Sequence, residues 1–198
     1  LEGIEVDGAN QIYDSRDDCN AIIQTKGNIL IAGCKNTSIP NGVEDIESFA
    51  FENCSSLLEI TIPESVKLVS SWAFWGCSGL EKILVDDGNQ VYDSRNNCNA
   101  IIQTESNTLM LGCKNTNIPN NVVSIGDSAF NQCSGLTNLK IPTGVKAIGN
   151  YAFYGCVNLT SVTVLQSVTA IGDGAFTWVH DDFTLLVIAG SYAETYAK

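Results

Sequence analysis

The sequence has few basic residues, one histidine and no long apolar run. It holds 10 Lys and Arg against 22 Asp and Glu, which gives a formal net charge of −12. Nucleic acids and anionic membrane surfaces are both bound through clustered Lys and Arg, so this balance argues against either partner. The longest apolar run, Leu185 to Ala189, is far shorter than the ~20 residues that span a bilayer. We therefore expect no nucleic-acid binding and no direct membrane insertion.

Sequence signatures of catalysis and of metal binding are also missing. There is no Gly-x-Ser-x-Gly elbow, no phosphate loop and no His-Glu-x-x-His. Zinc sites favour close pairs such as Cys-x-x-Cys, whereas the nearest cysteines, Cys19 and Cys34, are 15 residues apart. An acid–base dyad could be drawn only at His180 with Asp181 or Asp182, and we interpret this stretch as a surface turn. We expect no metal, no cofactor and no catalytic residue, and an enzyme remains a remote alternative.

The chain is instead built from repeats. Ala-Phe pairs recur 23 residues apart, except for one interval of 56, and they end at Phe51, Phe74, Phe130, Phe153 and Phe176. A longer period of 79 residues returns Tyr13 to Arg16 as Tyr92 to Arg95. A period in the twenties is the signature of a leucine-rich-repeat solenoid. We predict a single solenoid over 1–198, with a duplication of 1–79 as 80–158 and a terminal coil and cap over 159–198.

Each repeat predicts a short strand followed by a turn. The stretch Leu57 to Pro63 is typical of a strand whose Leu57, Ile60 and Ile62 point inward. Parallel pairing of such strands predicts a continuous sheet along the concave side of the solenoid. Only Ala189 to Lys198 is typical of a helix, because no other segment keeps a 3.6-residue apolar period. The predicted fold class is therefore a β-rich leucine-rich-repeat solenoid with two β-hairpin insertions and a short C-terminal helix.

The inserted segment of each unit predicts one of these hairpins. In the first unit two apolar runs flank Lys26-Gly27, a suitable two-residue turn. With the turn there, Cys19 faces Cys34, and the second copy places Cys98 opposite Cys113. These two pairs are candidate disulfides that would staple the hairpins, with unpaired thiols as the alternative. The remaining cysteines share one repeat position and predict an inward column of small apolar side chains; they are Cys54, Cys77, Cys133 and Cys156.

The repeat frame Cys-x-x-Leu-x-x-Ile-x-Ile-Pro-x-x-Val-x-x-Ile-Gly-x-x-Ala-Phe resembles the BspA-type leucine-rich repeats of bacterial surface proteins. The Tyr-Asp-Ser-Arg insertion resembles the hairpins that interrupt arrays in this family, and Gly190 to Lys198 resembles its C-terminal helix. The resemblance implies an extracellular or cell-surface location and protein-binding or adhesive roles, with no shared catalytic set. The last coil departs from the frame, since Leu165 replaces the Pro and Val179 the Cys, as expected of a terminal cap.

The outward side chains of the concave sheet are the first candidate contact surface. A solenoid presents them as an extended ladder, and a merely solvated sheet face is the alternative. The candidates on this ladder are Glu59, Thr61, Glu81, Lys82, Asn138, Lys140 and Thr160. The ladder has no aromatic side chain, which counts against a hot-spot interface.

Aromatic side chains form the second candidate surface. Trp72 and Trp75 flank one Ala-Phe pair, and Tyr151 and Tyr154 flank its counterpart 79 residues later. Two other coils carry Ser128 and Asn131 or Gly174 and Thr177 at these places, so the core does not require aromatics there, although Phe49 shows that the first of these positions can be bulky. We hypothesise adhesive patches on the convex side or edge, with packing against the adjacent loop or hairpin as the alternative.

The sequence therefore favours a non-catalytic binding or adhesion module that contacts a protein or a glycan. A structural stalk that spaces another domain is the alternative. A binding module should carry an aromatic, apolar or strongly charged face, whereas a stalk should be uniformly polar. The charge is uneven, because residues 1–99 hold 16 acidic and 6 basic side chains and residues 100–198 hold 6 and 4. The sequence shows no signal-like segment, so we expect any targeting peptide to have been removed or to lie outside it.

Overall fold

The structure is a computed structural model that describes residues 1–197 as a solenoid of short strands. Each coil with an Ala-Phe pair contains a two-residue strand, a turn that carries the pair, and a strand of three or four residues. We number these coils from the buried valine that opens each one. They are the first coil (43–65), the second (66–88), the third (122–144), the fourth (145–167) and the fifth (168–190).

The regular elements are short because each coil turns sharply between its strands. In chain order the strands are β1 (Tyr13–Asp14), β2 (Ala21–Gln24), β3 (Ile29–Gly33), β4 (Asp45–Ile46), β5 (Glu59–Ile62), β6 (Leu68–Val69), β7 (Lys82–Val85), β8 (Tyr92–Asp93), β9 (Ala100–Gln103), β10 (Thr108–Gly112), β11 (Ser124–Ile125), β12 (Asn138–Lys140), β13 (Ala147–Ile148), β14 (Ser161–Val164), β15 (Ala170–Ile171) and β16 (Thr184–Val187). The α-helix is α1 (Tyr192–Tyr196), and single 3₁₀ turns span Arg16–Asp18 and Arg95–Asn97. The β-rich solenoid predicted from the repeats is confirmed.

The two-residue strands form the side of the solenoid that receives the insertions. One sheet has the order β1-β2-β3-β4-β6 and the other the order β15-β13-β11-β10-β9-β8. Strands β2 and β3 are antiparallel, as are β9 and β10, whereas β3 pairs in parallel with β4 and β10 with β11. Both predicted hairpins are therefore present, and each takes the place of a coil on this side.

The recurring Tyr-Asp-Ser-Arg motif anchors each hairpin to the strand before it. The Arg16 guanidinium donates to both carboxylate oxygens of Asp14, at 2.8 and 2.7 Å, and its third contact is the Asn28 amide oxygen in the hairpin turn, at 3.1 Å. Arg95 makes the same contacts with Asp93 and Asn107 in the second unit. The pairing with arginine holds the pKa of the Asp14 carboxyl below its usual value. This bidentate pairing, which also reaches the hairpin turn, explains why the Tyr-Asp-Ser-Arg motif recurs together with the inserted hairpin.

The hairpin register is as predicted beside the turn and differs beyond it. Gln24 pairs with Ile29, as a turn centred on Lys26-Gly27 requires. A β-bulge then leaves Ile31 unpaired, so that Ala21 lies opposite Gly33 and Cys34 moves one position out of register with Cys19. The second hairpin shifts in the same way between Leu109 and Leu111. Apolar alternation does not reveal a bulge, because the inserted residue bends the strand without breaking the apolar run.

The strands of three or four residues form a second side, the long-strand face. Here β5 pairs in parallel with β7, and β14 pairs in parallel with β12 on one side and β16 on the other. The continuous sheet expected from the sequence is wrong at the junction of the units, because β7 and β12 belong to separate sheets. The loop after β10 contacts the strand end instead, where Lys114 binds the Glu81 carboxylate at 2.6 Å and Asn115 donates to the Glu81 carbonyl at 3.2 Å.

Phenylalanine rings from the Ala-Phe pairs stack inside the turns. The centroids of Phe51 and Phe74 are 4.8 Å apart, and those of Phe130, Phe153 and Phe176 follow at intervals of 5.2 Å. Interplanar angles of 5 to 10° make these offset stacks, which add about 0.5–1.5 kcal/mol per pair beyond burial. The column is interrupted between Phe74 and Phe130, where the second hairpin intervenes.

A glycine at the end of each hairpin covers the first ring of each stack. A Cβ atom on Gly33 would lie 2.2 Å from the Phe51 ring, and one on Gly112 would lie 2.1 Å from the Phe130 ring. Any side chain at these positions would therefore displace a fully buried ring. The buried side chains form two clusters, which meet where Ile101 of the second unit packs into the cluster of the first.

The fifth coil ends in a cap. Phe183 continues the stack on Phe176 with centroids 5.4 Å apart, and Ala193 of α1 is fully buried against the same cluster. The Ser191 hydroxyl caps α1 by accepting from the Glu194 N–H at 3.3 Å. The helix expected over Ala189–Lys198 is thus present but shorter, and Lys198 lies outside the described residues.

The second unit docks on the second coil through buried polar contacts. The Tyr92 hydroxyl accepts from the Val69 N–H at 3.1 Å, and the Asn89 amide donates to the carbonyls of Pro63 and Val66 at 2.8 and 3.0 Å. Tyr13 and Asn10 occupy the same places in the first unit. Within residues 1–197 the Tyr13 hydroxyl and the Asn10 amide nitrogen make no hydrogen bond. The contribution of Tyr92 and Asn89 to stability can therefore be measured with Tyr13 and Asn10 as matched controls.

We predict that Tyr92→Phe lowers the free energy of unfolding by about 1–3 kcal/mol, because it leaves the buried Val69 N–H without an acceptor. The matched control Tyr13→Phe should change it by less than about 0.5 kcal/mol. Urea unfolding followed by circular dichroism measures both values. Equal losses in the two variants would contradict the docking role of the Tyr92 hydroxyl.

Candidate binding surface

The long-strand face places the predicted ladder outward. All seven of its candidate side chains are exposed, while the residues between them are buried; the seven are Glu59, Thr61, Glu81, Lys82, Asn138, Lys140 and Thr160. Several charges on this face are already paired. Lys82 lies 3.3 Å from the Glu59 carboxylate, and Lys114 lies 2.6 Å from that of Glu81. The ladder is therefore divided between two sheets, and its acidic residues are partly neutralised.

The aromatic side chains lie on the turns, in two groups. The Trp cluster consists of Phe49, Trp72 and Trp75, with Phe49 6.1 and 6.4 Å from the two indole rings. The Tyr cluster consists of Tyr151, Tyr154 and Trp178, with Tyr154 5.9 Å from Tyr151 and 6.4 Å from Trp178.

These rings are only partly covered by the protein. Phe49 is 48% exposed, Tyr151 42% and Trp178 72%, while Trp72, Trp75 and Tyr154 are half-buried. Full burial of both indole rings would have excluded an adhesive patch. The observed exposure instead leaves two aromatic surfaces available for contact.

A groove runs between the two clusters on the turn side. Its walls are Phe49, Trp72 and Trp75 on one side and Tyr151 and Tyr154 on the other, and its volume is about 360 Å³. Asn131 of the third coil lies between the walls. The third coil carries Ser128 and Asn131 where the neighbouring coils carry aromatics, and this change from large to small side chains creates the groove. We call it the aromatic groove.

Three of the aromatic residues adopt a backbone conformation that suits glycine, and one of them is Trp178, with a φ of 60°. Phe49 has a φ of 64° and Tyr151 a φ of 55°, and the equivalent residues Ser128 and Gly174 have φ values of 58° and 63°. The left-handed region costs a residue with a Cβ atom roughly 1–2 kcal/mol. Since Gly174 shows that the coil can be built with glycine at this position, the bulky rings are not needed for the turn.

The inward cysteines form a row in each unit. Cys77, Cys133 and Cys156 are buried, and Cys54 is partly exposed. Burial raises the pKa of the Cys77 and Cys133 thiols to about 12, and it raises that of Cys156 further. The thiols of Cys77 and Cys156 donate to the carbonyls of Phe51 and Phe130 in the preceding coil, each at 3.1 Å. The side chains of Cys77, Cys133 and Cys156 are therefore inert packing groups.

The hairpin cysteines are arranged differently from the sequence expectation. Cys34 lies near the row of the first unit: burial raises the pKa of the Cys54 thiol most, and charge repulsion from Cys34 raises it further. Cys113 stands in the same relation to Cys133 in the second unit. The structure has all eight cysteines as free thiols, so neither Cys19–Cys34 nor Cys98–Cys113 is joined in it. The bulge explains the changed register, and oxidation of these pairs stays a prediction.

The described residues provide no cluster suited to metal binding. Among residues 1–197, no three His, Cys, Asp or Glu side chains converge as ligands would. The His180 ring accepts from the Asp182 N–H at 3.0 Å, a local turn contact on an exposed segment. Over the same residues, the helical segment is too short to cross a bilayer.

Sequence reasoning located four of the groove residues and missed three features. Phe49 stands 23 residues before Trp72, so the repeat frame alone could have placed its ring in the Trp cluster. The sequence shows Asn131 only as a polar residue where the neighbouring coils carry Trp75 and Tyr154. Its position between the two walls of the groove depends on how the second hairpin separates the second coil from the third. Trp178 falls in the degenerate fifth coil, where the frame no longer predicts side-chain direction.

Family and structural comparisons agree with this fold. The model of the BspA type leucine rich repeat region matches in six copies over residues 31–109 and 101–181, more than half of the chain. A leucine-rich repeat protein from Eubacterium ventriosum ATCC 27560 is 24% identical, over 77% of this chain and 42% of its own, with a TM-score of 0.65. The pneumococcal vaccine antigen PcpA is 18% identical, over 79% of this chain and 51% of its own, with a TM-score of 0.54.

A leucine rich cell surface protein from Faecalibacterium prausnitzii A2-165 is 20% identical, over 81% of this chain and 61% of its own, but its TM-score of 0.38 is too low to support an argument. The chain spans about half or less of the length of the first two proteins. At these identities the likeness establishes the fold alone. No curated protein matches the sequence.

We predict that iodoacetamide at pH 8 modifies Cys54 of the native protein before any other cysteine. Cys54 is the most exposed thiol, whereas the raised pKa of Cys77 and Cys133 leaves almost no thiolate at that pH. Peptide mass spectrometry after timed quenching measures the order, and early labelling of Cys77 would contradict it. Denaturation without reductant then tests the hairpin pairs, since eight alkyl groups exclude the two disulfides and four establish them.

Proposed function

Because the chain belongs to the BspA-type leucine-rich-repeat family, we propose that it is a non-catalytic binding module of a secreted or surface-anchored bacterial protein. Proteins of this repeat class generally serve as interaction or surface repeat modules, and the solenoid fold is typically non-catalytic. The module would act by adhesion, through contact with a protein or a glycan outside the cell.

The aromatic groove carries this proposal. A stalk needs only a soluble, uniformly polar surface, whereas this chain leaves six aromatic rings partly or largely exposed on one side and holds three of them in left-handed backbone conformations. Aromatic side chains that are partly exposed and already ordered by their neighbours lose little conformational freedom on binding. They are also the residue types that dominate binding energies at interfaces.

The long-strand face is the less suitable surface for the same role. Its seven candidate side chains are all polar or charged, two of its carboxylates are paired, and its two sheets are separated by the loop after β10. Exposed ion pairs contribute little to affinity, because they are already solvated and screened. We therefore assign partner contact to the turn side.

The repeats themselves supply substitutions that test this assignment. Trp72→Ser with Trp75→Asn gives the second coil the residues that the third coil carries as Ser128 and Asn131, so the fold should tolerate the double variant. We predict that it weakens binding to the partner at least tenfold, because it removes one wall of the aromatic groove. Surface plasmon resonance on immobilised extracellular-matrix proteins and purified glycans measures the affinity, and circular dichroism checks the fold.

Leu58→Thr is the matched control on the long-strand face, where Leu58 is 57% exposed. It should leave the affinity unchanged. If Leu58→Thr abolished binding and the tryptophan variant did not, the contact surface would be the long-strand face. If the unmodified protein bound no member of the panel, the binding module would be wrong and the stalk favoured.

A further inference from the structure

The hydrogen-bond ladder of the turn side is broken beneath the aromatic groove. In the first coil the N–H groups of Phe51 and Asn53 donate to the carbonyls of Ala73 and Trp75, both at 2.8 Å. The third and fourth coils donate to their successors in the same way. The second coil has no such successor, because the second hairpin separates it from the third coil. Within residues 1–197, the N–H groups of Trp72, Phe74 and Gly76 find no acceptor.

Unpartnered polar atoms also lie on the opposite side of this break. The Ser128 hydroxyl oxygen and the Asn131 amide oxygen are buried and lack a hydrogen bond within residues 1–197. Phe74, Ser128 and Asn131 line one inner cavity of about 20 Å³, large enough for a single water-sized group. Asn131 and Trp75 line both this cavity and the aromatic groove above it. We call the groove and the cavity together the inter-unit cleft.

Buried polar groups without partners are costly, so proteins rarely leave several in one place. The unpaired N–H groups of the second coil follow from the repeat design, because at the other junctions between coils the equivalent N–H groups donate to the next coil. The polar atoms of Ser128 and Asn131 have no such explanation, because the coil tolerates Gly174 and Thr177 at the equivalent positions. A ligand that donates and accepts hydrogen bonds in the cleft would satisfy both sides.

The residues that line the groove and the net charge of the protein indicate which class of ligand the cleft would bind. The groove is lined by five aromatic side chains and one amide, with no charged residue among them. Ring faces carry negative charge density and attract the C–H groups on the flat face of a sugar ring. Sugar hydroxyls both donate and accept, as the mixed groups of the cleft require. The net charge of −12 disfavours acidic sugars by repulsion.

We propose that the inter-unit cleft is a binding site for a neutral saccharide, with a sugar ring between the Trp72/Trp75 wall and the Tyr151/Tyr154 wall and a hydroxyl on Asn131. This inference rests on the proposed binding function and names its ligand class. A volume of about 360 Å³ is at the small end of ligand sites, which suits the terminal sugars of a glycan better than a folded protein surface. A peptide partner is the competing outcome.

The test uses the full chain on an array of neutral, sialylated and sulfated glycans, followed by calorimetry with the neutral oligosaccharides that bind. We expect retention of neutral glycans and no retention of acidic ones. Asn131→Leu keeps the size of the side chain and removes its polar atoms, so it should weaken saccharide binding at least tenfold. Asn117→Leu, at an exposed position outside the cleft, is the matched control and should bind normally.

Tyr151→Gly separates ligand contact from folding. It installs the residue that the fifth coil carries as Gly174, so thermal stability should hold or rise while saccharide affinity falls at least tenfold. Binding of matrix proteins or peptides that the tryptophan variant abolishes, without any saccharide binding, would overturn the saccharide site and leave the binding function standing. Saccharide binding unaffected by both Asn131→Leu and Tyr151→Gly would also overturn it. Failure to bind any probe would overturn both proposals.

Discussion

The stacking of one coil on the next holds the molecule together, and the stacked phenylalanine rings are the most regular part of this packing. Each ring lies flat against its neighbour at about 5 Å, which fixes the spacing of the coils and brings the N–H groups of one turn to the carbonyls of the next. The cysteine rows and the buried valines follow the same spacing. Because each contact joins residues 23 apart, stability accumulates from neighbouring coils, as in other solenoids.

The two hairpin insertions interrupt the stacking of the coils at defined places. Each hairpin takes the place of a coil on one side of the solenoid and ends in a glycine that covers the next ring. On the turn side it provides no equivalent of an Ala-Phe turn, so the ladder opens there. The candidate site is thus a consequence of the fold, since the duplication places an open junction between two complete stacks and the aromatic residues border it.

The sequence predicted the solenoid, the hairpins and the inward residues because these depend on patterns that recur at fixed spacing. Leu57, Ile60 and Ile62 are all buried, and a helix is present near the C-terminus. The failures lie where the repeat is interrupted. A one-residue bulge changed the register of Cys34, and the insertion divided the long-strand sheet. Four aromatic residues of the site could be predicted from the sequence, because the repeat does not require aromatics at their positions; they are Trp72, Trp75, Tyr151 and Tyr154. The groove between them could not be predicted, because it depends on how far the second and third coils are separated.

The position before the Ala-Phe pair, which is left-handed in four of the five coils, has a consequence for how such a surface can change. It holds Phe49, Ser128, Tyr151 and Gly174 in different coils of one chain, with nearly the same backbone angle. Side chain and scaffold are therefore uncoupled at this position, and substitutions there alter the surface without repacking the interior. An array of this kind can acquire new specificities by single replacements along one row, in the way that antibody loops vary on a constant framework. For protein engineers, the row offers a set of addressable sites on a scaffold that already accepts residues from glycine to phenylalanine.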